Sequence, residues 1–225
     1  MGAGRRGKFV IMELSRTKRT ELRRKRERGR SDRADLYAVL DAALICHIGV
    51  VADGAPRVLP TAHGRHGDIL YLHGSSANAT YGAADGQQVC VTVTIVDGLV
   101  CARSVFHHSM NYRSAMIYGT ACLVTDEDEQ LEALRIITEH LVPGQWDYAR
   151  RPTKKELAAT AVLALPLDEA SVKVRSGAPS DDEEDYARDT WAGVVPVGMA
   201  FGEPQPDPVL RPGISVPPHI ARRPA

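Results

Sequence analysis

The sequence has no apolar run near the roughly 20 residues that a bilayer-spanning helix needs. Its longest N-terminal apolar stretch, residues 9–12, is too short for a secretory h-region, so a soluble, unexported, cytoplasmic protein is expected. Cysteine is sparse. Cys46, Cys90, Cys101 and Cys122 stand singly in apolar runs without CxxC or Cys/His ligand spacing, which argues against a zinc site or a disulfide framework and predicts buried thiols in a reducing compartment. No GxSxG, HExxH, Walker loop or GxGxxG is present, so hydrolase, metalloprotease and kinase chemistry have no motif to rest on. Aromatic residues make up only 5%, and net charge is zero.

That zero conceals an asymmetry. Residues 1–30 hold 12 Lys/Arg against Glu13, Glu21 and Glu27, and the remainder is acidic by the same margin. The block Arg23-Arg24-Lys25-Arg26 suits phosphate backbones, a solvated tail, or an arm across an acidic partner subunit. Without an aromatic platform or recognition-helix pattern, nucleic acid is not the expected partner. Residues 2–11 have no evident structural role, so Met12 is read as a later natural start. Three units follow: a basic arm over 1–31, a folded domain over 32–177, and a C-terminal extension over 178–225 that is acidic, then proline-rich, with 7 of the 14 prolines in its last 22 residues. With 225 residues that are 44% apolar, the chain suits one compact domain with tails.

Ser31 or Asp32 caps a helix over about 33–43, with Leu36, Val39, Leu40 and Leu44 at helical spacing. Strands follow at 44–51 and 57–62 around Asp53-Gly54, and at 89–96 and 99–105 around Asp97-Gly98; both dipeptides read as hairpin turns. Further strands are expected at 69–73, 114–124, 161–165 and 171–175. A helix opens on a Thr125/Asp128 capping box and ends before Pro143-Gly144, and a second box marks Thr153/Glu156. Tight connections exclude helical crossovers, so about six or seven strands with few helices point to a mainly β small barrel rather than a parallel sheet.

Three segments carry chemistry. His73-Gly74-Ser75-Ser76-Ala77-Asn78 ends a strand and begins a helix, and reads either as an anion nest or as ordinary helix capping. Ser109-Met110-Asn111-Tyr112-Arg113-Ser114, preceded by Arg103 and the His107-His108 pair, reads as a donor-rich loop at a barrel mouth; the adjacent histidines lack an acid or thiolate at metal-ligand spacing. In Val58-Leu59-Pro60-Thr61-Ala62 the proline removes a ladder donor, which points to an edge strand that a flat ring could lie against.

In order and spacing these segments resemble the pyridoxamine 5'-phosphate oxidase-like proteins with the FMN-binding split barrel, in particular the nitroimidazole-resistance (Nim-type) branch. The resemblance runs from Ser31-Asp32-Arg33 to Trp191-Ala192-Gly193 and includes Leu70-Tyr71-Leu72-His73-Gly74-Ser75 and Lys173-Val174-Arg175-Ser176-Gly177. It implies a mainly β fold, a six-stranded antiparallel split β-barrel with flanking α-helices, that forms a homodimer with FMN at the subunit interface. Pro60 and Thr61 then lie near the isoalloxazine, and Ser75, Ser76 and Asn78 near the phosphate, beside the His73 loop. Asn111, Tyr112, Arg113 and Ser114 become walls or donors, and Trp191 becomes a lid or a tail anchor.

The chain departs from that family in one respect, since no Lys or Arg occurs between Arg65 and Arg103. Phosphate charge must then come from Arg103, Arg113, Lys173 or Arg175. The resemblance implies an FMN-dependent oxidoreductase that reduces a small electrophilic or nitroaromatic compound with a nicotinamide donor, NAD(P)H. The alternative is a non-catalytic split barrel holding haem or a deazaflavin, with His73, His107 and His108 as candidate axial ligands. A third reading has residues 16–30 acting on nucleic acid.

Overall fold

The structure, a computed structural model, describes residues 13–221, so the start read at Met12 lies outside the described residues. Among them nine strands occur: β1 (Gly29–Arg30), β2 (Ile45–Ala52), β3 (Ala55–His66), β4 (Ile69–Ser75), β5 (Gln87–Cys101), β6 (Ser109–Leu123), β7 (Thr160–Pro166), β8 (Glu169–Arg175) and β9 (Gly193–Pro196). Six helices accompany them: α1 (Arg33–Ala42), α2 (Ala79–Ala84), α3 (Glu127–Leu141), α4 (Gln145–Tyr148), α5 (Lys154–Ala158) and α6 (Pro218–Ala221).

The ring β6-β7-β4-β3-β2-β5 closes through β5–β6 pairing, which makes the expected six-stranded antiparallel barrel. Three more strands decorate it: β8 on β6, β1 on β8, and β9 on β5. The split lies along β6, where Tyr112 to Tyr118 pair with β8 and only Cys122 and Leu123 reach β7. Inside, alternate residues of the strands bury Ile48, Leu70, Leu72, Val91, Ile117, Leu163 and Leu165, and α1 adds Leu36, Val39 and Leu40. A smaller layer under α3 packs Ala133, Ile136 and Ile137 against Tyr71 and Val162.

Local chemistry explains most element boundaries. Asp53 (φ 53°) and Gly54 (φ 74°) both take the left-handed conformation that a two-residue hairpin demands. The Asp32 carboxylate accepts from the Ala34 amide to start α1, and Thr153 and Glu156 form the expected capping box. Asp126, not Thr125, caps α3, its carboxylate accepting from Glu129 N.

Asp97-Gly98 is not a turn. Neither residue has a positive φ, and β5 runs through them with a bulge between Val96 and Gly98. Strand β9 pairs with Gly98 to Cys101 here, and a Cβ on Gly98 would meet the Val194 side chain at 2.9 Å, so glycine serves close approach rather than reversal. For the same reason residues 109–113 are strand, not loop: β6 stays paired with the whole length of β5. The thiols also differ from expectation. Cys46 is buried, Cys90 and Cys101 are half-buried, and Cys122 is exposed.

Both flanking segments add to the barrel. Gly29 and Arg30 pair with Lys173 and Val172, and Leu14 of the arm is buried in the main core. The C-terminal segment supplies β9 and then runs extended, with Val195, Val197, Met199 and Val209 exposed, before α6 sets His219 Nε2 2.9 Å from Gln145 Oε1.

One buried group makes stability depend on pH. His63 is fully buried, with Nε2 3.0 Å from the Leu40 carbonyl, and burial lowers its pKa to about 4 from 6.5. The unfolded chain therefore takes up a proton that the folded chain refuses. The stabilising contribution is complete above pH 6.5 and is lost as pH falls toward 4, by roughly 3 kcal/mol in all. Urea titrations between pH 7.5 and 4.5 are expected to show this loss, and His63→Gln to flatten it; an unchanged slope in the variant would refute the assignment.

Candidate functional site

Strand alternation sets out an open face. Cys46, Ile48 and Val50 point inward from β2, so His47 is carried outward and is exposed. Cross-strand register then aligns Pro60, His47, Thr92, Met116 and Ser171 over five strands, β3-β2-β5-β6-β8. Parallel to that row, Ser114 faces Lys173 and Tyr112 faces Arg175. Ile45, Val51, Val58 and Met116 leave this surface apolar and exposed.

At one border of the face stand Pro60, Thr61 and His73. Pro60 pairs with β2 alone, because β4 joins β3 only from His63 onward; the missing donor faces an open edge, as expected. The Thr61 hydroxyl is 3.1 Å from both the His73 carbonyl and the Tyr81 hydroxyl, and Tyr81 donates to that carbonyl at 2.5 Å. Burial pushes the Tyr81 pKa up, keeping the phenol protonated and donating. A Cβ on Gly74 would meet the Tyr81 ring at 2.7 Å, so glycine is required here. The backbone of His73 is thus fixed twice over. Its Nδ1 is buried and has no hydrogen-bond partner among the described residues, and burial lowers its pKa, which favours the neutral imidazole.

The adjoining Ser75-Ser76-Ala77-Asn78 segment is a capping structure. Asn78 Oδ1 accepts from Thr80 N, Ser75 Oγ accepts from Ala77 N, and Ser76 N donates to the Ala159 carbonyl. Asn78 thus caps α2, and Ser75 closes the turn that leads into it.

At the opposite border the four expected phosphate cations divide. Arg113 is committed to Asp97 through Nε (3.0 Å) and Nη2 (2.8 Å). Arg103 Nη1 is 3.1 Å from Asp181, whose carboxylate also accepts from the Arg103 and Ser104 amides, and its guanidinium lies over Tyr186. Arg175 differs: its partners are neutral, namely Asn111 Oδ1 and the Gly177 and Ala178 carbonyls. Burial and the nearby Arg28 lower its pKa, so the site is short of negative charge. Lys173 likewise forms no ion pair among the described residues. Asn111 is buried and donates to the Gly177 carbonyl, holding the turn that shapes this corner.

The remaining candidates lie off the face. His107 Nε2 is 3.2 Å from Asp182, and His108 Nδ1 is 3.0 Å from the Ser104 carbonyl. Trp191 is 67% exposed, with its indole against Gly193 at the start of β9. Sequence reasoning missed His47, although alternation with Cys46, Ile48 and Val50 signals it. It also missed Tyr81, three residues beyond the Asn78 cap, and Arg28, which nothing distinguishes within the basic run.

The family model described as pyridoxamine 5'-phosphate oxidase matches residues 32–174. The chain belongs to the pyridoxamine 5'-phosphate oxidase family. Two solved structures of similar architecture stand out. The flavocytochrome Anf3 from Azotobacter vinelandii is 43% identical, with 91% of this chain and 95% of that one covered at a TM-score of 0.87. The FAD and heme binding protein from Mycobacterium smegmatis is 37% identical, with 86% and 95% covered and a TM-score of 0.82. A Bacteroides thetaiotaomicron protein named for 5-nitroimidazole antibiotic resistance is 24% identical over 65% of this chain and 86% of that one, and its TM-score of 0.56 shows the shared fold alone. No curated protein matches the chain.

Proposed function

We propose that this member of the pyridoxamine 5'-phosphate oxidase family is a redox protein that binds a flavin and a haem on the open barrel face, as a two-fold dimer. His73 carries the reading: burial keeps its imidazole neutral, and neither ring nitrogen has a hydrogen-bond partner among the described residues, which leaves the ring available to a haem iron. That availability also chooses among the three histidines considered, because His107 and His108 are held by their own chain. Support comes from the likeness to a flavocytochrome and to a protein that binds FAD and heme.

A flavin exchanges electron pairs at N5 and a haem iron exchanges single electrons, so together they couple the two kinds of transfer. The chain's part is to hold them. Thr61 and Tyr81 fix the His73 backbone, His47 stands on the same open face, Tyr112 and Ser114 offer a wall and a hydroxyl, and Arg175 and Lys173 supply positive charge. Pro60 and Ser171 are separated by four strand spacings, roughly 19 Å, which a single isoalloxazine does not bridge. A two-fold partner facing this surface brings the His73 border of one subunit toward the Arg175 border of the other.

Absorption spectra test this directly. The apo chain titrated with haemin and with flavin is expected to give a Soret band and flavin bands, each saturating near one per subunit, with a raised Tm for each ligand. Absence of both would overturn the reading. With NADH and a nitroaromatic added, acceptor-dependent donor oxidation supports the catalytic expectation, and its absence supports an electron carrier.

A further inference from the structure

Between β9 and α6 the chain lies on the outside of the molecule throughout. Every residue from Val195 to Val216 is exposed, and the run includes the apolar side chains of Val197, Met199, Val209, Leu210, Ile214 and Val216, with Val209 at 83%. Both ends of this strap are pinned. Val197 N donates to the Asp97 carbonyl at 3.1 Å, and at the far end His219 packs against Gly144 with its ring 5.2 Å from that of Tyr148. Among the described residues the strap itself forms no strand or helix. Pro204, Pro206, Pro208, Pro212 and Pro217 fix φ and remove backbone donors, so the segment is stiff and extended and docks through side chains rather than as an added strand.

The strap is longer than its own barrel requires. Strand β5 neighbours β2, His140 Nε2 of α3 is 2.7 Å from the Ala43 carbonyl just ahead of β2, and α4 follows α3 directly, so the two anchors stand on adjoining elements. About 20 extended residues reach roughly 60 Å, more than that path needs. An apolar segment held out in solvent gains little from its own chain to offset the entropy of ordering it, so a second surface is required to cover it.

A second apolar feature lies on the same edge. Val105 and Phe106, in the short turn beyond β5, are 87% and 88% exposed. Gly193 at the start of β9 pairs with Cys101, four residues before Val105, so turn and strap leave opposite ends of one strand. In a two-fold assembly the turn of one copy meets the strap of the other, and the contact forms twice. About 20 residues from each subunit is the size of one side of a stable interface.

We propose that residues 198–216 embrace a second copy of this chain, with Val209 and Leu210 packed on that copy's Val105–Phe106 turn. The inference rests on the two-fold dimer of the functional reading and adds to it a contact outside the open barrel face.

Cross-linking and sedimentation test it. Full-length protein with p-benzoylphenylalanine in place of Val209 is expected, after irradiation, to give a dimer-sized band on a denaturing gel, with the cross-link in the peptide that holds Phe106. Val209→Asp combined with Leu210→Asp is expected to raise the dimer dissociation constant at least tenfold, roughly, and Phe106→Asp to do the same from the other side. Val209→Ile should leave it within about twofold. Far-UV circular dichroism establishes that each variant folds, as expected for side chains exposed on their own subunit. A dimer whose cross-links stay within one chain or reach the second copy away from this turn overturns the inference and leaves the open-face dimer standing. So does a dissociation constant unmoved by the acidic variants. Wild-type protein that is monomeric at every concentration overturns the inference and the dimer together, while the haemin and flavin spectra still read the cofactors.

Discussion

In His73→Ala protein, haemin is expected to give no Soret shift, while flavin binds as in the wild type. Neither ring nitrogen of His73 has a competing partner among the described residues, so the imidazole is available to a metal, and removal of the ring leaves no equivalent nitrogen at that border. Loss of a ligand exceeds the roughly 10–100-fold that an outer-shell partner costs. Thr61→Val supplies that milder case: it removes a hydroxyl 3.1 Å from the His73 carbonyl but leaves the imidazole, so haem affinity should fall without vanishing. His107→Ala and His108→Ala should bind haem normally, since those rings answer to Asp182 and to the Ser104 carbonyl. A normal Soret band in His73→Ala would refute the assignment, and loss of the band in His47→Ala alone would move the ligand to β2. Flavin binding in every variant separates a local lesion from a failure to fold.

Much of this geometry is legible in the chain itself, where local chemistry decides the outcome. Asp53-Gly54 turns because both residues reach positive φ at little cost, and Thr153/Glu156 caps because its partners are three residues apart. Asp97-Gly98 has the same letters as the first turn and a different fate. There the deciding contacts come from afar: Arg113, sixteen residues on, takes the Asp97 carboxylate, and Val194 fills the space that Gly98 leaves. Sorting Arg103, Arg113, Lys173 and Arg175 posed the same difficulty, because sequence supplies four cations and only tertiary pairing shows which acids neutralise two of them. Arg28 was illegible for a related reason. Its importance depends on a two-residue strand that pairs across more than a hundred positions.

Met116→Glu is expected to dissociate the proposed two-fold dimer and to weaken flavin binding with it. Met116 occupies the middle of the row from Pro60 to Ser171, is 39% exposed, and is bordered by Thr92 and Ser171 without a basic side chain directly opposite. A two-fold interface presents each residue twice, so the substitution places two uncompensated carboxylates near the contact of two apolar surfaces. Burying an unpaired charge costs several kcal/mol, which corresponds to at least a hundredfold, roughly, in the dimer dissociation constant. Met116→Leu conserves the apolar volume and should remain dimeric, which separates charge from shape. Sedimentation at several concentrations, paired with flavin titration, reads both quantities. If flavin binding spans two subunits, affinity must fall in parallel with dimer content and recover at high protein concentration. A monomeric Met116→Glu protein with undiminished flavin affinity would place the whole flavin site within one chain, and the separation of Pro60 from Ser171 would then require that the flavin use the Arg175 border alone.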